Sequence, residues 1–289
     1  MSKIRSRWIL ALSAVVVLLV TAGAGWTARA VTSDDSSAVA LPPAPENSVT
    51  IVTIGFDDGT ADQMQTLPLL RAQGFPATYY INSGKVGQKD FMTWGQVAEL
   101  AAAGHEVGGH TLSHAKLAGL SRTKLRQEIC DDRVALFEKG YAPVSFAYPY
   151  GSYDDDAAAT AAACGYNSAR RTGGVDDKRT FAETVPPTAP FVVRAHSTNY
   201  PPKEVLAQIK AGITAAQSHG GGWYNIYLHH ICETCPTYSM PPSDFADLLT
   251  WLRERVDDGS IIIRTAGQVI GGPVHPPISA AELETAGPR

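Results

Sequence analysis

Two clusters of side chains have the types and spacing for hydrolytic chemistry. The first is Phe56-Asp57-Asp58-Gly59, where adjacent carboxylates end an apolar run. Successive side chains of a strand point to opposite sides, so a kink at Gly59 is needed to bring both carboxylates into one pocket. One could then bind a cation while the other stays free as a base. A polar turn or a helix N-cap uses the same residue types. The second cluster is His110-Thr-Leu-Ser-His114, which follows a Gly108-Gly109 turn. Histidines four apart share one face if the segment is helical, which lets both imidazoles reach one ion. A loop with two satisfied histidines is the plainer alternative. Set beside Asp58, however, the two histidines make a facial set with open positions, as a hydrolytic metal needs for water and substrate.

The elements that must position these groups alternate along the chain. Strand candidates are Thr50–Phe56, Ala77–Ile81, Glu106–Gly108, Ser145–Tyr148, Tyr166–Ala169, Phe191–Ala195, Tyr224–Leu228 and Ile261–Arg264. Between them, helical patterns cover Asp62–Gln73, Trp94–Ala103, Arg122–Lys139, Asp154–Ala163, Lys203–His219 and Ser243–Val256. Thr93 and Gln96 form a capping box for the second of these. Repeated strand-helix-strand units imply a mostly parallel sheet, either open and doubly wound or closed as a barrel. Asp57-Asp58, His110, Tyr150 and His229 each follow a different strand candidate. That favours the barrel, which gathers its chemistry from many strand ends at one face. No internal repeat or second domain is evident.

The 289 residues suit one sizeable domain. A net charge of -4 with interspersed signs leaves no basic stripe for nucleic acid. Lys3, Arg5 and Arg7 precede an apolar run from Trp8 to Val20 and an Ala28-Arg29-Ala30 cleavage pattern. Residues 1–30 are therefore expected to be a signal peptide, with an uncleaved membrane anchor as the alternative. Residues 31–47 read as a flexible linker, 48–275 as the folded domain and 276–289 as a tail. Export favours closed disulfides. Cys232 and Cys235 are close enough to pair locally, which leaves Cys130 with Cys164 by elimination, although four cysteines allow three connectivities.

In order along the chain, FDDG, the H-T-x-x-H element, Ala147-Tyr-Pro-Tyr-Gly151 and Leu228-His229 resemble the polysaccharide deacetylases of carbohydrate esterase family 4, the NodB homology domain. The likeness runs from about Val49 to Val269. It implies an α/β fold, a distorted (β/α) barrel of about seven strands, with one catalytic divalent metal. Carried over by position, the resemblance makes Asp57 the general base and Asp58, His110 and His114 the metal ligands. His229 becomes the general acid, Leu228 a wall of the acetyl pocket, and the Tyr150 amide a donor to the oxyanion. This sequence departs from the family in three places. The arginine that orients the base is replaced by Ala147, and Arg170, Arg171 or Arg194 could supply the charge, with Arg194 preferred. The Asp-x-x-Asp-Trp pattern that tunes the acid histidine has no clean match near Asp176 and Asp177. His230 stands where the family often has Asp.

The expectation is a secreted, metal-dependent hydrolase that removes acetyl groups from an extracellular glycan. N-deacetylation of peptidoglycan, chitin or poly-N-acetylglucosamine leads. An O-acetyl esterase on xylan-type glycans would use the same residues, and a glycan-binding module with a vestigial site is the non-enzymatic alternative. A phosphoesterase or metalloprotease would need further ligands or a Glu in a His-containing helix, and neither is found. Zinc is the default metal, and cobalt, manganese or nickel also suit this donor set. The implied partner is an acetylated polysaccharide of the cell wall or another extracellular glycan; no protein partner is implied. Tyr79, Tyr148, Tyr153, Trp223 and Tyr238 are candidates for sugar stacking, Trp94 reads as core, and the segment Cys232–Met240 is the expected substrate-contacting loop.

Overall fold

The computed structural model describes residues 49–176, 178–234 and 238–285. The expected leader (1–30) and linker (31–47), with Asp177, Cys235 and residues 286–289 of the tail, lie outside the described residues. Chain order is β1 (Thr50–Phe56), α1 (Thr66–Gln73), β2 (Thr78–Ile81), α2 (Trp94–Ala102), β3 (Glu106–Gly109), α3 (Arg122–Glu138) and β4 (Ser145–Ala147). Next come α4 (Asp155–Ala163), β5 (Ser168–Val175), β6 (Val193–His196), α5 (Pro202–Ser218), β7 (Gly222–Leu228), β8 (His230–Ile231) and β9 (Ser239–Met240). The last elements are α6 (Pro242–Asp257), β10 (Ile261–Ile263), α7 (Ala266–Ile270) and α8 (Ala280–Thr285).

The run Thr-Ile-Val-Thr-Ile-Gly-Phe of β1 is buried at every position, as a strand covered on both faces must be. One edge of β1 pairs with the whole of β7; the other pairs with β10 at its start and β2 at its end. From β2 the sheet continues through β3, β4 and β5 to β6, every pairing parallel. Without the short β10, seven strands curl into the distorted (β/α) barrel expected from the sequence. The distortion is a seam. Among the described residues no ladder joins β6 to β7, and the Thr198 hydroxyl bridges the gap by donating to the Tyr227 carbonyl at 2.7 Å.

Alternation along the strands sorts the core into two faces. Val52, Ile54 and Phe56 of β1 join Tyr224, Ile226 and Leu228 of β7 beneath α1, α5 and α6. Ile51, Tyr80, Ala147 and Trp223 form a separate cluster on the other face. Each fully buried aliphatic or aromatic side chain of this kind stabilises the fold by about 1.5–3 kcal/mol. Local signals agree with this packing. The Thr93 hydroxyl accepts the Gln96 N–H at 3.3 Å while Gln96 accepts the Thr93 N–H at 2.8 Å, completing the capping box of α2. Pro202 and Pro242 open α5 and α6, where no N–H is needed. Among the described residues no helix is long and apolar enough to cross a membrane.

Three elements differ from the sequence expectation, the first being β6, which starts at Val193 because the expected strand residues Phe191 and Val192 form a 3-10 turn with Pro190. The helix expected from Asp62 starts as a 3-10 turn over Ala61–Gln65, and only Thr66 begins α1. Pro68 sits in the first turn of α1, where a missing N–H costs little. The fifth strand starts at Ser168 rather than Tyr166 and runs on to Val175 through Arg170-Arg171-Thr172-Gly173-Gly174. Such polar, glycine-rich residues carry no strand signal. They are held in place by pairing with β4 and β6 and by the ion pair described below.

Behind the barrel, Cys130 of α3 and Cys164 after α4 form a disulfide with a Cα–Cα distance of 4.9 Å. Cys232 is also disulfide-bonded, and its expected partner Cys235 lies outside the described residues. Next to Cys130–Cys164, the fully buried Arg133 donates to four carbonyls: Pro143 at 3.2 Å, Cys164 at 2.9 Å, Pro276 at 3.1 Å and His275 at 2.7 Å. One guanidinium thereby ties the C-terminal segment to the barrel. Arg133→Met keeps the bulk and removes these bonds, and should lower the unfolding free energy by about 2–4 kcal/mol. Urea denaturation measures this, and an unchanged midpoint would contradict it.

Candidate active site

At the end of β1 the backbone turns left-handed, with φ of 74° at Asp58 and 70° at Gly59. The kink expected at Gly59 thus begins at Asp58, and Asp is one of the few non-glycine residues that tolerate it. A Cβ at Gly59 would lie 2.9 Å from the Ile81 Cδ1 methyl and displace it, so the positive φ is what favours glycine there. The turn brings both carboxylates to the wall of one cavity of about 540 Å³, shared with His114, Tyr150, His229 and Tyr238.

The two carboxylates have different partners. Asp57 is 2% exposed, and its Oδ1 accepts a charge-assisted hydrogen bond from Arg170 Nη2. The Arg170 guanidinium lies over the rings of Tyr80 and Tyr227, 4.9 and 4.6 Å from their centroids. Burial alone would raise the Asp57 carboxyl, but Arg170, with His110 and His229, holds it below the usual carboxylate range. Burial likewise pushes the Tyr227 phenol up to about 12.

Asp58 faces the histidines instead, its Oδ1 lying 3.4 Å from His110 Nε2 and 3.0 Å from His114 Nε2. The segment between them is not the helix that four-residue spacing suggests. Thr111 and His114 have φ of 68° and 66°, and the Thr111 hydroxyl accepts the His114 N–H at 2.9 Å. This doubled-back loop still sets the two imidazole centroids 5.1 Å apart. His110 Nδ1 lies 2.7 Å from the Ala147 carbonyl, which only an Nδ1–H satisfies. In the neutral ring, the Nε2 lone pair therefore points at Asp58. Asp58 Oδ1 is itself buried with no hydrogen-bond donor. Lone pairs converging in a buried place repel unless a proton or cation lies between them, and this nitrogen and oxygen set fits a divalent metal. Burial opposes the charge on both groups. Even so, His110 and His114 hold Asp58 well below its ordinary range, and Asp58 in turn raises His110.

A second cluster, Asp62, His230 and Cys232, brings ligand atoms within 4.8 Å of one another. Its cysteine is disulfide-bonded and offers no thiolate. His230 Nδ1 faces Asp62 Oδ1 at 3.2 Å, an ion pair that raises the histidine. His229, by contrast, lines the cavity. Its Nδ1 is buried without a hydrogen-bond partner, and burial lowers its pKa despite the nearby Asp57 and Asp58. That unpartnered nitrogen matches the missing acidic pattern: Asp176 spends its carboxylate on the Lys178 and Arg179 amides, at 2.7 Å each. The turn after β1 clasps the His229 segment. Thr60 and Gln63 donate to the His229 carbonyl at 3.0 and 2.8 Å, and Gln63 also reaches the Asp57 carbonyl at 2.5 Å.

Three expectations need correction. Arg194 does not reach Asp57, because Glu183 holds its guanidinium at 2.6 Å. Arg170 takes that place, carried inward by β5 just before the register shift that precedes Gly174. Arg171 turns to the Thr172 carbonyl of its own strand. Leu228 is fully buried among core residues under the helices, since alternation sends it outward with Ile226; Tyr227 lines the cavity instead. Among the aromatic candidates, Tyr238 reaches the cavity, whereas Tyr79, Tyr148 and Trp223 are buried, Tyr153 stacks on Tyr148, and Trp94 packs beside Tyr141. Tyr150, 60% exposed with φ of 59°, stands at the mouth with its ring 4.5 Å from that of His114. Thr172, Gly173, Ser197 and Asn199 complete the lining. No spacing marks them: Ser197 and Asn199 follow the end of β6, whereas Thr172 and Gly173 lie within β5.

Comparison with known proteins gives this geometry a context. The polysaccharide deacetylase family profile matches residues 44–169, which include Asp57, Asp58, His110, His114 and Tyr150 and stop one residue before Arg170. The chain is 32% identical over 125 residues to the peptidoglycan-N-acetylglucosamine deacetylase of Bacillus cereus, covering 42% of this chain and 56% of that protein. It is 33% identical over 115 residues to a chitin deacetylase of Pestalotiopsis sp, covering 39% of this chain and 38% of that one. The alignments thus span about half or less of these curated relatives. The fold matches a family 4 carbohydrate esterase from Streptomyces lividans, solved with acetate, at a TM-score of 0.52 and 18% identity over 81% of this chain and 100% of that one. It also matches an acetyl xylan esterase from Clostridium thermocellum, solved with a cobalt ion, at a TM-score of 0.51 and 16% identity over 76% of this chain and 90% of that one.

Replacing Arg170 by Met would leave Asp57 buried without its cation, at a cost of about 3–5 kcal/mol at about pH 7. In the wild type the folded pKa of Asp57 lies below its unfolded value. Its contribution is therefore fully present above about pH 4 and lost as pH falls through the folded pKa. In the variant burial opposes ionisation, so the stability gap between the two proteins should narrow as the pH is lowered to about 4 and below. Urea unfolding across this range tests the sign, and a pH-independent gap would contradict it.

Proposed function

We propose that this chain, which matches the polysaccharide deacetylase family over residues 44–169, is a metal-dependent hydrolase removing acetyl groups from a glycan. The observation that carries the reading is the division of labour at the end of β1, with Asp58 facing two histidines and Asp57 held apart by Arg170. Asp58, His110 and His114 would hold the ion, with zinc the first choice for this donor set. When bound, a divalent cation supplies Lewis acidity toward an acetyl carbonyl and toward water.

The chain's own residues do the rest. Asp57, kept ionised by Arg170, takes the proton from the attacking water. His229 faces the same cavity from the end of β7, the strand paired with β1. Burial without a carboxylate on Nδ1 lowers its pKa, which makes its protonated form a ready donor to the leaving nitrogen. The Tyr150 amide, in its left-handed turn at the mouth, would donate to the oxyanion. Thr172, Ser197 and Asn199 supply neutral hydrogen-bonding groups for sugar hydroxyls.

N-acetylated amino-sugar polymers are the leading substrate class, supported by the peptidoglycan and chitin deacetylases among the sequence relatives. Export is supported by the leader pattern of residues 1–30 and by the closed Cys130–Cys164 pair. Acetate release from N-acetylglucosamine oligomers and from O-acetylated xylan, measured side by side, tests the substrate class. Faster release from the amino-sugar oligomers is expected, and turnover of the xylan alone would transfer the reading to O-acetyl esters.

Two variants separate the roles. His110→Ala should lose the metal, read by elemental analysis of purified protein. Asp57→Asn should keep it and lose about 100-fold or more in kcat. Full metal occupancy in His110→Ala, or wild-type turnover in Asp57→Asn, would defeat the assignment.

A further inference from the structure

Asp132 is a fully buried carboxylate on α3 that the proposed reaction does not use. Among the described residues no lysine or arginine pairs with it, and the adjacent Arg133 is spent on backbone carbonyls. A buried carboxylate without a counter-charge is costly unless hydrogen bonds satisfy it. Its two oxygens find backbone donors on two different strand ends. Oδ1 accepts the Ser83 N–H at 3.0 Å, just after β2, and Oδ2 accepts the His110 N–H at 3.3 Å, just after β3.

The surroundings are shaped around that bridge. A Cβ on Gly109 would lie 2.0 Å from the Tyr166 hydroxyl and 3.0 Å from Asp132 Oδ2, so the glycine at the end of β3 is what lets Tyr166 and the Asp132 carboxylate approach. His110 is then gripped at three points. Its N–H is shared between the Ile81 carbonyl at 3.1 Å and Asp132 Oδ2 at 3.3 Å, Asn82 Nδ2 donates to its carbonyl, and its ring Nδ1–H reaches the Ala147 carbonyl. Asn82 and Ser83 are adjacent, so one turn and one carboxylate together fix both ends of the His110 backbone. The ring bond sets the rotation of the imidazole, while the backbone grip sets its depth against Asp58.

We infer that Asp132 is a positioning residue that holds the ends of β2 and β3 together and so fixes His110 where it can share an ion with Asp58 and His114. The inference rests on the metal-site reading above. The buried carboxylate stands one layer behind the ligands, where its loss should weaken metal binding without removing a donor atom.

Calorimetric titration of zinc(II) into metal-free full-length protein tests this, using wild type, Asp132→Asn and His114→Ala. Asp132→Asn should bind zinc about 10–100-fold more weakly than wild type. If Asp132 served stability alone, the folded variant would melt earlier yet bind zinc as tightly as wild type, and that result overturns the inference. His114→Ala separates the two levels of argument. Wild-type affinity there sinks the metal site itself, whereas weak binding there with full affinity in Asp132→Asn sinks the positioning role alone. Should Asp132→Asn fail to fold, Ser83→Pro removes one of the two donors and keeps the carboxylate. Asn82, with φ of -83° and ψ of 101°, already has the extended backbone that precedes a proline. A severalfold loss of zinc affinity in Ser83→Pro supports the bridge, and an unchanged affinity removes it.

Discussion

Two carboxylates side by side at the end of a buried strand must each be compensated, and by different partners. Like charges about 4 Å apart repel by about 4 kcal/mol even at an effective dielectric of about 20. The structure separates them by a left-handed kink at Asp58 and answers them from opposite directions. Arg170 reaches Asp57 from β5, and the loop after β3 brings His110 and His114 to Asp58. β1 can carry both because it is the strand around which the sheet closes, paired with β7 along one edge and with β10 and β2 along the other. The curl of the sheet, the bulge in β5 and the clasp from Gln63 to the His229 carbonyl all serve to bring these answers to one place.

Much of this was legible in the sequence, for local reasons. The fully apolar β1, the Thr93–Gln96 capping box and the alternation of strands with helices are short-range signals, and they define a parallel (β/α) barrel. Asp58, His110 and His114 were recognisable from residue type and from their place after strands. What failed were the inferences that needed three-dimensional placement. The spacing of His110 and His114 suggests a helical face, but positive φ at Thr111 and His114 makes a loop that reaches the same end. Three arginines could have answered Asp57, and no local signal tells Arg170 from Arg194. Only Glu183, distant in sequence, removes Arg194 from contention. Leu228 sits next to His229, but the period of two in a strand puts neighbours on opposite faces.

The departures from the family pattern lie mostly beyond residue 169, where the family match ends. There the chain supplies Arg170 to the base, leaves His229 Nδ1 without a partner, and pairs His230 with Asp62. Asp57, Asp58, His110 and His114 thus fall within the shared part, whereas Arg170, His229 and His230 lie beyond it. Among the described residues, the neutral lining of Thr172, Ser197 and Asn199 leaves Asp57 and Asp58 as the only carboxylates on the cavity wall. Recognition there would rest on hydrogen bonds to hydroxyls rather than on charge.

The most direct test of the divided carboxylates is anomalous diffraction from crystals of the zinc-loaded protein, recorded on both sides of the zinc edge. The account predicts one strong peak bounded by Asp58, His110 and His114, with Asp57 still bonded to Arg170. A peak bridged by both aspartates, or one seated between Asp62 and His230 instead, would contradict it.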